Sequence, residues 1–211
     1  MRHFTQADLQ SFERFYRANF INSLTGFKSA SLIGTVNQSG QTNLAIFSSI
    51  VHIGSDPALV GYINRPRKAA PHTLANIEAT GEYTINHILP QFVDRAHQSS
   101  AKYPDTVSEF DQLQFTPQFI EDFGAPFVQE SRVKYGLKLQ QIIPITLNDT
   151  FLVIGKIEHI HLEPSFVGKD GFIDLQSAES ICSNGVDSYY QTNIIGRFEY
   201  AKSEKVAKRI H

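Results

Sequence analysis

The sequence is organised around residues 34–86, which read GTVNQSGQTNLAIFSSIVHIGSDPALVGYINRPRKAAPHTLANIEATGEYTIN. In its first half, a polar turn at 37–40 separates two segments in which apolar and polar residues alternate. A turn of this composition between such segments predicts a β-hairpin with strands around 30–36 and 42–53. This hairpin is the first antiparallel pair of the expected sheet.

The second half of the stretch predicts a strand, a basic loop, a helix and another strand. An apolar run at 58–64 is typical of a strand buried on both faces. Two prolines and three cations exclude regular structure at 65–71, a helical pattern follows at 72–80, and a strand is expected at 82–89. The polar side chains fall at the ends of these elements, where backbone donors are available to a planar, anionic ligand.

Length and composition indicate a single domain over residues 1–211. Hydrophobic residues make up 41% of the 211 residues, which is enough to bury a substantial core. Charged residues make up only 19%, which is typical of a protein that hides part of its surface in an oligomer. A net charge of −2 argues against binding to nucleic acid or to an anionic membrane surface.

The single cysteine and the amino terminus indicate the compartment. Cys182 has no partner for an intramolecular disulfide, and residues 1–5 lack the apolar core of a signal peptide. No run approaches the roughly 18 apolar residues that a membrane helix needs. We therefore expect a soluble, cytoplasmic protein without membrane association.

Outside the central stretch the patterns predict several further elements. Thr5 caps an amphipathic helix at 1–22, whose apolar stripe packs on the body of the protein or on a partner subunit. Thr106 and Glu109 cap one short helix within a surface excursion or lid at 102–130. The remaining expectations are a hairpin of strands at 132–146 and 150–163, a last strand at 194–200 and a frayed tail at 202–211.

Several short motifs follow one another in a fixed order. They are Thr35-Val36, Asn43-Leu44-Ala45, Ser48-Ser49, Asp56-Pro57, Arg65-Pro66, Thr73-Leu74-Ala75-Asn76-Ile77, Gly81-Glu82-Tyr83-Thr84-Ile85-Asn86, Glu130-Ser131, Gly155-Lys156-Ile157-Glu158-His159-Ile160, Gly171-Phe172-Ile173-Asp174 and Asp187-Ser188-Tyr189-Tyr190. Their order over residues 28–200 resembles the flavin reductase-like family of FMN-binding split-barrel proteins. The resemblance implies a mainly β fold, an antiparallel Greek-key-type split barrel of about six strands with added helices. It also implies a homodimer with FMN near the subunit boundary.

The basic loop and the helix after it are the candidate phosphate site. Arg65, Arg67 and Lys68 supply cations, and the helix start at His72 and Thr73 supplies unpaired N–H groups at the positive end of the helix dipole. The alternative is an ordinary loop of solvated charges. Many relatives open this helix with Lys-Asp-Thr, so that Arg67 or Lys68 has to replace the missing lysine here.

The second strand of the hairpin is the candidate site for the flavin ring. The resemblance assigns ring binding to Asn43, Leu44, Ala45, Ser48 and Ser49. Small side chains there leave backbone amides open to a flat ring, whereas the alternative is a strand end that is rich in serine because it meets solvent. Asn86, at the end of a neighbouring strand, either faces the ring or satisfies buried backbone groups.

Other chemical sites find little support. His159 and His161 lie on one side of a strand but lack a third ligand, and no flanking sequence activates Cys182. Where many relatives carry an arginine before Gly185, this chain has Ser183. The sequence contains neither GxGxxG nor GxxxxGK[ST], so a Rossmann or P-loop site is unsupported. We assign no catalytic side chain and no metal.

The leading functional hypothesis is an oxidoreductase in which FMN takes a hydride from NADH or NADPH and passes electrons on, with an electron-accepting partner protein as one candidate acceptor. This chemistry belongs to the cofactor, which explains why no acid–base pair is evident. The alternative is an electron carrier or flavin-binding protein that holds FMN without its own NAD(P)H turnover. A third possibility is a split-barrel protein that binds pyridoxal phosphate or haem.

Overall fold

The structure is a computed structural model that describes residues 1–210, and it is mainly β. Seven strands form one antiparallel sheet in the order β3-β2-β6-β9-β10-β5-β4. They are β2 (Ser31–Val36), β3 (Thr42–Phe47), β4 (Ile50–Ser55), β5 (Ala58–Asn64), β6 (Glu82–His87), β9 (Val133–Ile145) and β10 (Thr150–Leu162). The expected antiparallel barrel is confirmed, with one strand more than the sequence indicated.

Shorter elements surround this sheet. The strands are β1 (Lys28–Ser29), β7 (Pro117–Ile120), β8 (Phe123–Val128), β11 (Cys182–Asn184) and β12 (Ser188–Tyr190). The helices are α1 (Gln6–Ser11), α2 (Arg14–Leu24), α3 (Pro71–Thr80), α4 (Val93–Gln98) and α5 (Glu109–Gln112). Two single 3₁₀ turns cover Pro90–Phe92 and Pro164–Phe166. Within the described residues, no helix has the length and the apolar character that crossing a bilayer requires.

The chain closes the sheet between β3 and β4. We expected one strand at 42–53, but the chain leaves one edge of the sheet after Phe47 and enters the opposite edge at Ile50. At this crossing the Ser49 hydroxyl donates to the carbonyl of Ile63 (3.0 Å) and accepts the N–H of Ile63 (3.2 Å). The side chain thus replaces a pair of strand hydrogen bonds where the main chain turns from one edge to the other.

The two faces of the curved sheet pack against different groups of residues. One group lies between the strands and α3 and includes Tyr62, Tyr83, Leu74, Ile77 and Leu137, all fully buried. A second group, on the other face, joins the sheet to α4 and α5 and includes Leu32, Leu44, Ile88, Phe92 and Phe110. Neighbouring residues of one strand, such as Leu32 and Ile33, belong to different groups because successive side chains of a strand point to opposite faces of the sheet.

Segment 102–130 differs from the surface excursion that we expected. It contains α5 and the β7–β8 hairpin, and Phe110, Ala125, Phe127 and Val128 are fully buried. The carbonyl of Pro126 accepts a hydrogen bond from the Thr84 hydroxyl at 2.6 Å. Pro117 and Pro126 lie within β7 and β8 rather than in irregular chain, and the buried aromatic residues of the segment belong to the core.

The N-terminal region forms two helices rather than the single helix expected at 1–22. Thr5 caps α1 through a reciprocal bond with Asp8, as its sequence predicted, and Glu13 caps α2 after the break at Phe12. Neither helix contains a buried residue. Four aromatic rings of this region pack against one another, in edge-on or stacked pairs. They are Phe4, Phe12, Tyr16 and Phe20.

The C-terminal region also differs from expectation. Residues 194–200 form no strand beyond a single bridge between Phe198 and Arg209. Two backbone hydrogen bonds of 2.9 Å, from Glu199 to Lys208 and from Ile210 to Arg197, fold the expected frayed tail back on this segment. Residue 211, the last of that tail, lies outside the described residues.

Gly34 gives a test of the packing between β2 and β8. A Cβ at this position would overlap the carbonyl oxygen of Pro126 and approach the Thr84 hydroxyl to 2.6 Å. We expect Gly34→Ala to lower the free energy of unfolding by about 1–3 kcal/mol or more, as other overpacked sites do. Gly54→Ala is the matched control, because its Cβ would meet only the Pro57 carbonyl, at 3.4 Å. Urea unfolding that finds both variants equally stable would contradict this packing.

Candidate functional site

β3 is an edge strand, and the backbone N–H groups on its outer side are not paired with another strand. The N–H of Leu44 points away from β2 and donates to the Glu109 carboxylate at 3.0 Å. Because inward and outward groups alternate along an antiparallel edge strand, the N–H of Ile46 also points outward. Within residues 1–210 it has no acceptor, since β3 pairs only with β2. The predicted ring site is therefore an open sheet edge.

The N-terminus of α3 lies next to this strand. The helix begins at Pro71, one residue before the predicted start, and Ala70 precedes it without a side-chain cap. Proline has no N–H, so the N–H groups of His72 and Thr73 are the first donors at the start of the helix, where the dipole is positive. The Thr73 hydroxyl accepts a hydrogen bond from the Asn43 amide at 3.3 Å, which fixes the helix start against β3. Gly81 ends the helix with φ 76°, as its sequence predicted.

The three cations of the loop before α3 have different environments. Arg67 forms a bidentate ion pair with Glu78 of α3 and stacks 4.9 Å from the ring of Phe151. The guanidinium of Arg67 is therefore already paired with Glu78 and fixes the loop to α3. Its hydrogen bonds with the Glu78 carboxylate raise the pKa of Arg67. Arg65 and Lys68 are exposed, and neither forms an ion pair within the described part of the chain. These two cations are free for an anionic ligand.

Three of the six candidate ring residues, namely Asn43, Leu44 and Ala45, lie on β3, and Ser49 and Asn86 have internal structural roles. Asn43 and Leu44 are buried, whereas Ala45 and Ser48 are partly exposed. Ser49 holds the crossing to β4, as described above. The fully buried Asn86 donates to the Leu32 carbonyl (3.2 Å) and accepts the Val128 N–H (2.9 Å), so it satisfies buried backbone instead of facing a ligand.

A small polar cleft lies between the start of α3 and segment 102–130. Its lining includes Asn43, His72, Asn76, Asp105 and Val107, and its volume is about 60 Å³. Pockets that enclose a ligand of cofactor size usually measure roughly 300–1,000 Å³. This cleft therefore does not enclose a flavin, and the β3 edge beside it is an open surface.

Glu109 is the site residue that sequence analysis missed. We expected it to pair with Thr106 as a helix cap, but Ser108 precedes the helix and the Glu109 side chain turns inward to β3. Burial raises the pKa of this carboxyl, while the Leu44 N–H and the nearby His72 oppose the shift. Its only sequence signal was a carboxylate beside the apolar Phe110, which is too common a pattern to identify a site.

The other candidates from the sequence have structural roles. His159 and His161 lie on one side of β10, where their rings pack against Phe123 and Phe127 at 5.1 and 4.9 Å between centroids. Burial raises the pKa of the Cys182 thiol, which disfavours a reactive thiolate. Ser183 is buried, and within residues 1–210 its hydroxyl has no hydrogen-bond partner.

The comparison with known protein families is decisive. Residues 25–172 match the family described as "Flavin reductase like domain". The chain belongs to this family. Membership implies flavin binding and places the protein among the flavin oxidoreductases. The match covers both the open edge of β3 and the start of α3.

Solved structures agree with this assignment. A split-barrel protein of Shewanella frigidimarina NCIMB 400, provisionally assigned as a flavin reductase, is 45% identical, with a TM-score of 0.92 over 95% of this chain and 100% of that one. Component B of nitrilotriacetate monooxygenase from Bacillus cereus shares the fold at 18% identity, with a TM-score of 0.81 over 95% and 98% of the two chains. Flavoredoxin of Desulfovibrio vulgaris (Miyazaki F) shares it at 22% identity, with a TM-score of 0.69 over 84% and 91%.

The residues on the surface of this flavin reductase-like chain fit a flavin nucleotide. A planar ring with carbonyl acceptors matches the outward N–H groups of β3, and a terminal phosphate matches the uncapped start of α3 with two free cations. On β3 the Leu44 N–H is already bonded to Glu109, so the groups without partners in the described chain are the N–H of Ile46 for the ring and the helix start with Arg65 and Lys68 for the phosphate.

Glu109 generates a pH-dependent prediction. Its pKa is raised in the folded state, so its contribution to stability is full below the unfolded pKa and declines as pH rises through the folded pKa. Glu109→Gln removes this titration but keeps an oxygen for Leu44. We expect the stability of the wild type relative to this variant to fall between pH 4 and pH 8.

The measurement is urea unfolding of both proteins at these two pH values. Glu130→Gln is the control, because the Glu130 carboxylate also accepts a backbone N–H, that of Thr116 at 3.0 Å, but at the surface. A stability difference between wild type and Glu109→Gln that stays constant with pH would exclude a buried titrating carboxyl at Glu109.

Proposed function

We propose that the protein is an FMN-binding oxidoreductase that reduces flavin with NADH or NADPH. The observation that carries this proposal is the juxtaposition of the open β3 edge with the uncapped start of α3 and its free cations. FMN combines a ring with hydrogen-bonding edges and a single terminal phosphate, and these two parts correspond to the two halves of the surface. When bound, the flavin supplies the capacity to accept a hydride from a nicotinamide.

The residues of the chain would position the ligand. The outward N–H of Ile46 and the partly exposed segment at Ala45 and Ser48 would hold the ring edge. The N–H groups of His72 and Thr73, with Arg65 and Lys68, would hold the phosphate. Arg67 would act indirectly, since its ion pair with Glu78 fixes the loop that carries the other two cations.

The proposal includes a homodimer. The cleft of about 60 Å³ leaves a bound ring largely in water, and a second copy placed over β3 would exclude that water. The low share of charged residues and the many exposed apolar side chains of the chain termini support such an assembly.

One observation favours the alternative of an electron carrier without its own nicotinamide turnover. Asp105 lines the cleft, and Glu109 lies buried against the neighbouring β3 edge, so acidic side chains lie beside the ring site. Acidic side chains disfavour the close approach of a doubly phosphorylated nicotinamide nucleotide. In this case an electron-accepting or electron-donating partner protein would replace the nicotinamide.

The phosphate assignment predicts a selective loss of affinity. We expect Arg65→Ala with Lys68→Ala to weaken FMN binding by about 10- to 100-fold, because two charge-assisted contacts are lost. Riboflavin, which lacks the phosphate, is the matched ligand control and should bind the variant and the wild type equally. Fluorescence titration measures both. Equal losses for the two ligands would place the phosphate elsewhere.

Turnover separates the two functions. We expect purified protein to oxidise NADH or NADPH in the presence of FMN and to reduce added flavin. The oxidation of the nicotinamide is followed by its absorbance at 340 nm under anaerobic conditions. A protein that binds FMN with an oxidised-flavin spectrum but shows no nicotinamide oxidation would support the carrier. A protein that binds no flavin would exclude both.

A further inference from the structure

The N-terminal residues 1–27, which we call the arm, form a folded structure without a partner surface. Both arm helices have capped starts, yet no residue of either helix is buried. The apolar side chains of Met1, Phe4, Leu9, Phe20 and Leu24 line a groove of about 480 Å³. Phe15 and Leu24 are each 70% exposed. Apolar surface of this extent on a folded segment indicates a contact with another chain.

The free charges of the arm are positive. Its two acids are occupied, because Asp8 caps the N–H of Thr5 and Glu13 caps the N–H groups of Phe15 and Tyr16. Its three arginines are Arg2, Arg14 and Arg17, which are exposed and form no ion pair within residues 1–210. With three arginines against two carboxylates, the arm therefore presents apolar side chains edged by a small net positive charge.

Residues 103–130 carry the opposite charge. They contain six acidic residues and no lysine or arginine. Glu109 and Glu130 each accept a backbone N–H, which leaves Asp105, Asp111, Glu121 and Asp122 exposed and without ion pairs in the described chain. Phe119, at 53% exposure, is the exposed large hydrophobic residue of this segment. We call the exposed residues of 103–130 the acidic face.

The arm leads into one end of β2, and three acids of the acidic face, Asp105, Glu121 and Asp122, lie near the other end. The acidic face is tied to this end of β2 through two contacts. Thr42, which pairs with Val36, bonds to Ser108 at 2.7 Å, and Glu82 at the start of β6 accepts the N–H of Gly124 at 2.7 Å. Six strand residues separate the two ends by about 20 Å. If a second copy is rotated so that its β2 runs in the opposite direction, the arm of each copy lies next to the acidic face of the other copy.

We infer that the arm docks on the acidic face of a second copy of this chain, and that this exchange completes the flavin surface. The inference rests on the homodimer of the proposed function and names its contact. Two equivalent contacts related by a two-fold axis close the assembly, as isologous dimers require. The acidic face includes Asp105, which lines the cleft beside α3, so the partner's arm covers the open side of the ligand surface.

Charge reversal on each side tests the contact. The arm variant carries Arg14→Glu and Arg17→Glu, both in the first turn of α2, where carboxylates favour the helix dipole. The face variant carries Asp111→Lys and Glu121→Lys, two exposed residues outside the cleft. Each variant alone should dimerise at least about tenfold more weakly than the wild type, because like charges then meet at both contacts.

An equimolar mixture of the two variants should restore the dimer. In a mixed pair, the negative arm meets the positive face and the positive arm meets the negative face, so both contacts are complementary. Sedimentation equilibrium gives the mass of each sample, and native mass spectrometry identifies the mixed dimer by its composition. The charge-preserving variants Arg14→Lys with Arg17→Lys, and Asp111→Glu with Glu121→Asp, should dimerise as the wild type does.

The outcomes separate this inference from the function on which it rests. Variants that each remain as dimeric as the wild type, or a mixture that stays monomeric, would falsify the arm contact and leave the homodimer intact. A monomeric wild type would refute the homodimer and the contact together. FMN titration of the dissociated variants adds a second readout: weaker FMN binding is expected, and undiminished binding would show that the arm does not complete the flavin surface.

Discussion

The crossing of the chain from β3 to β4 is the constraint on which the rest of the structure depends. It joins the two edges of a seven-stranded sheet through only Ser48 and Ser49, so the sheet has to curl until its edges meet. The edges come together without pairing, since β3 bonds to β2 and β4 bonds to β5. A closed sheet normally removes its exposed edges. Here both edges remain, and the outward N–H groups of β3 face the candidate site.

The outward N–H groups of this open edge need acceptors, and residues 1–210 supply one. Glu109 covers the N–H of Leu44, which leaves the outward N–H of Ile46 to water or a ligand. Two buried amide–hydroxyl pairs hold α3 beside the edge: Asn43 with Thr73, and Asn76 with Thr35 at 3.0 Å. These polar pairs lie in a packed interior, where each group is costly if it loses its partner. The helix start and the strand edge are thereby held in one fixed relation, which is what a rigid ligand with two binding groups requires.

The sequence predicted the elements better than their roles. The hairpin turn, the strands at β5 and β9–β10 and the stop at Gly81 follow from local signals, and the structure confirms them. Local signals could not show that 42–53 divides between two sheet edges, because alternation continues through the crossing. They also could not show that aromatic residues of 102–130 enter the core, since proline-rich spacing is equally typical of a surface loop.

The candidate site shows the same limit. Charge and spacing identified the basic loop, but only the fold shows that Arg67 is held by Glu78 while Arg65 and Lys68 are free. Asn86 matched the family pattern, yet its amide serves the backbone of β2 and β8. Glu109 lies 65 residues from the strand that it covers, and a contact at that separation has no local signature. Residue type predicted the chemistry, whereas long-range packing decided which residues are available for it.

The charges around the site also restrict how an anionic ligand can lie. Free cations lie in the loop before α3, whereas Asp105 in the lining of the cleft forms an acidic rim and Glu109 lies buried against the strand edge. A ligand with its charge at one end is stabilised when that end faces the cations and its uncharged ring faces the acidic rim. The reverse orientation places like charges together at short range and loses the helix dipole as well. The fold thus distinguishes the two ends of a flavin nucleotide before any side chain contacts the ring.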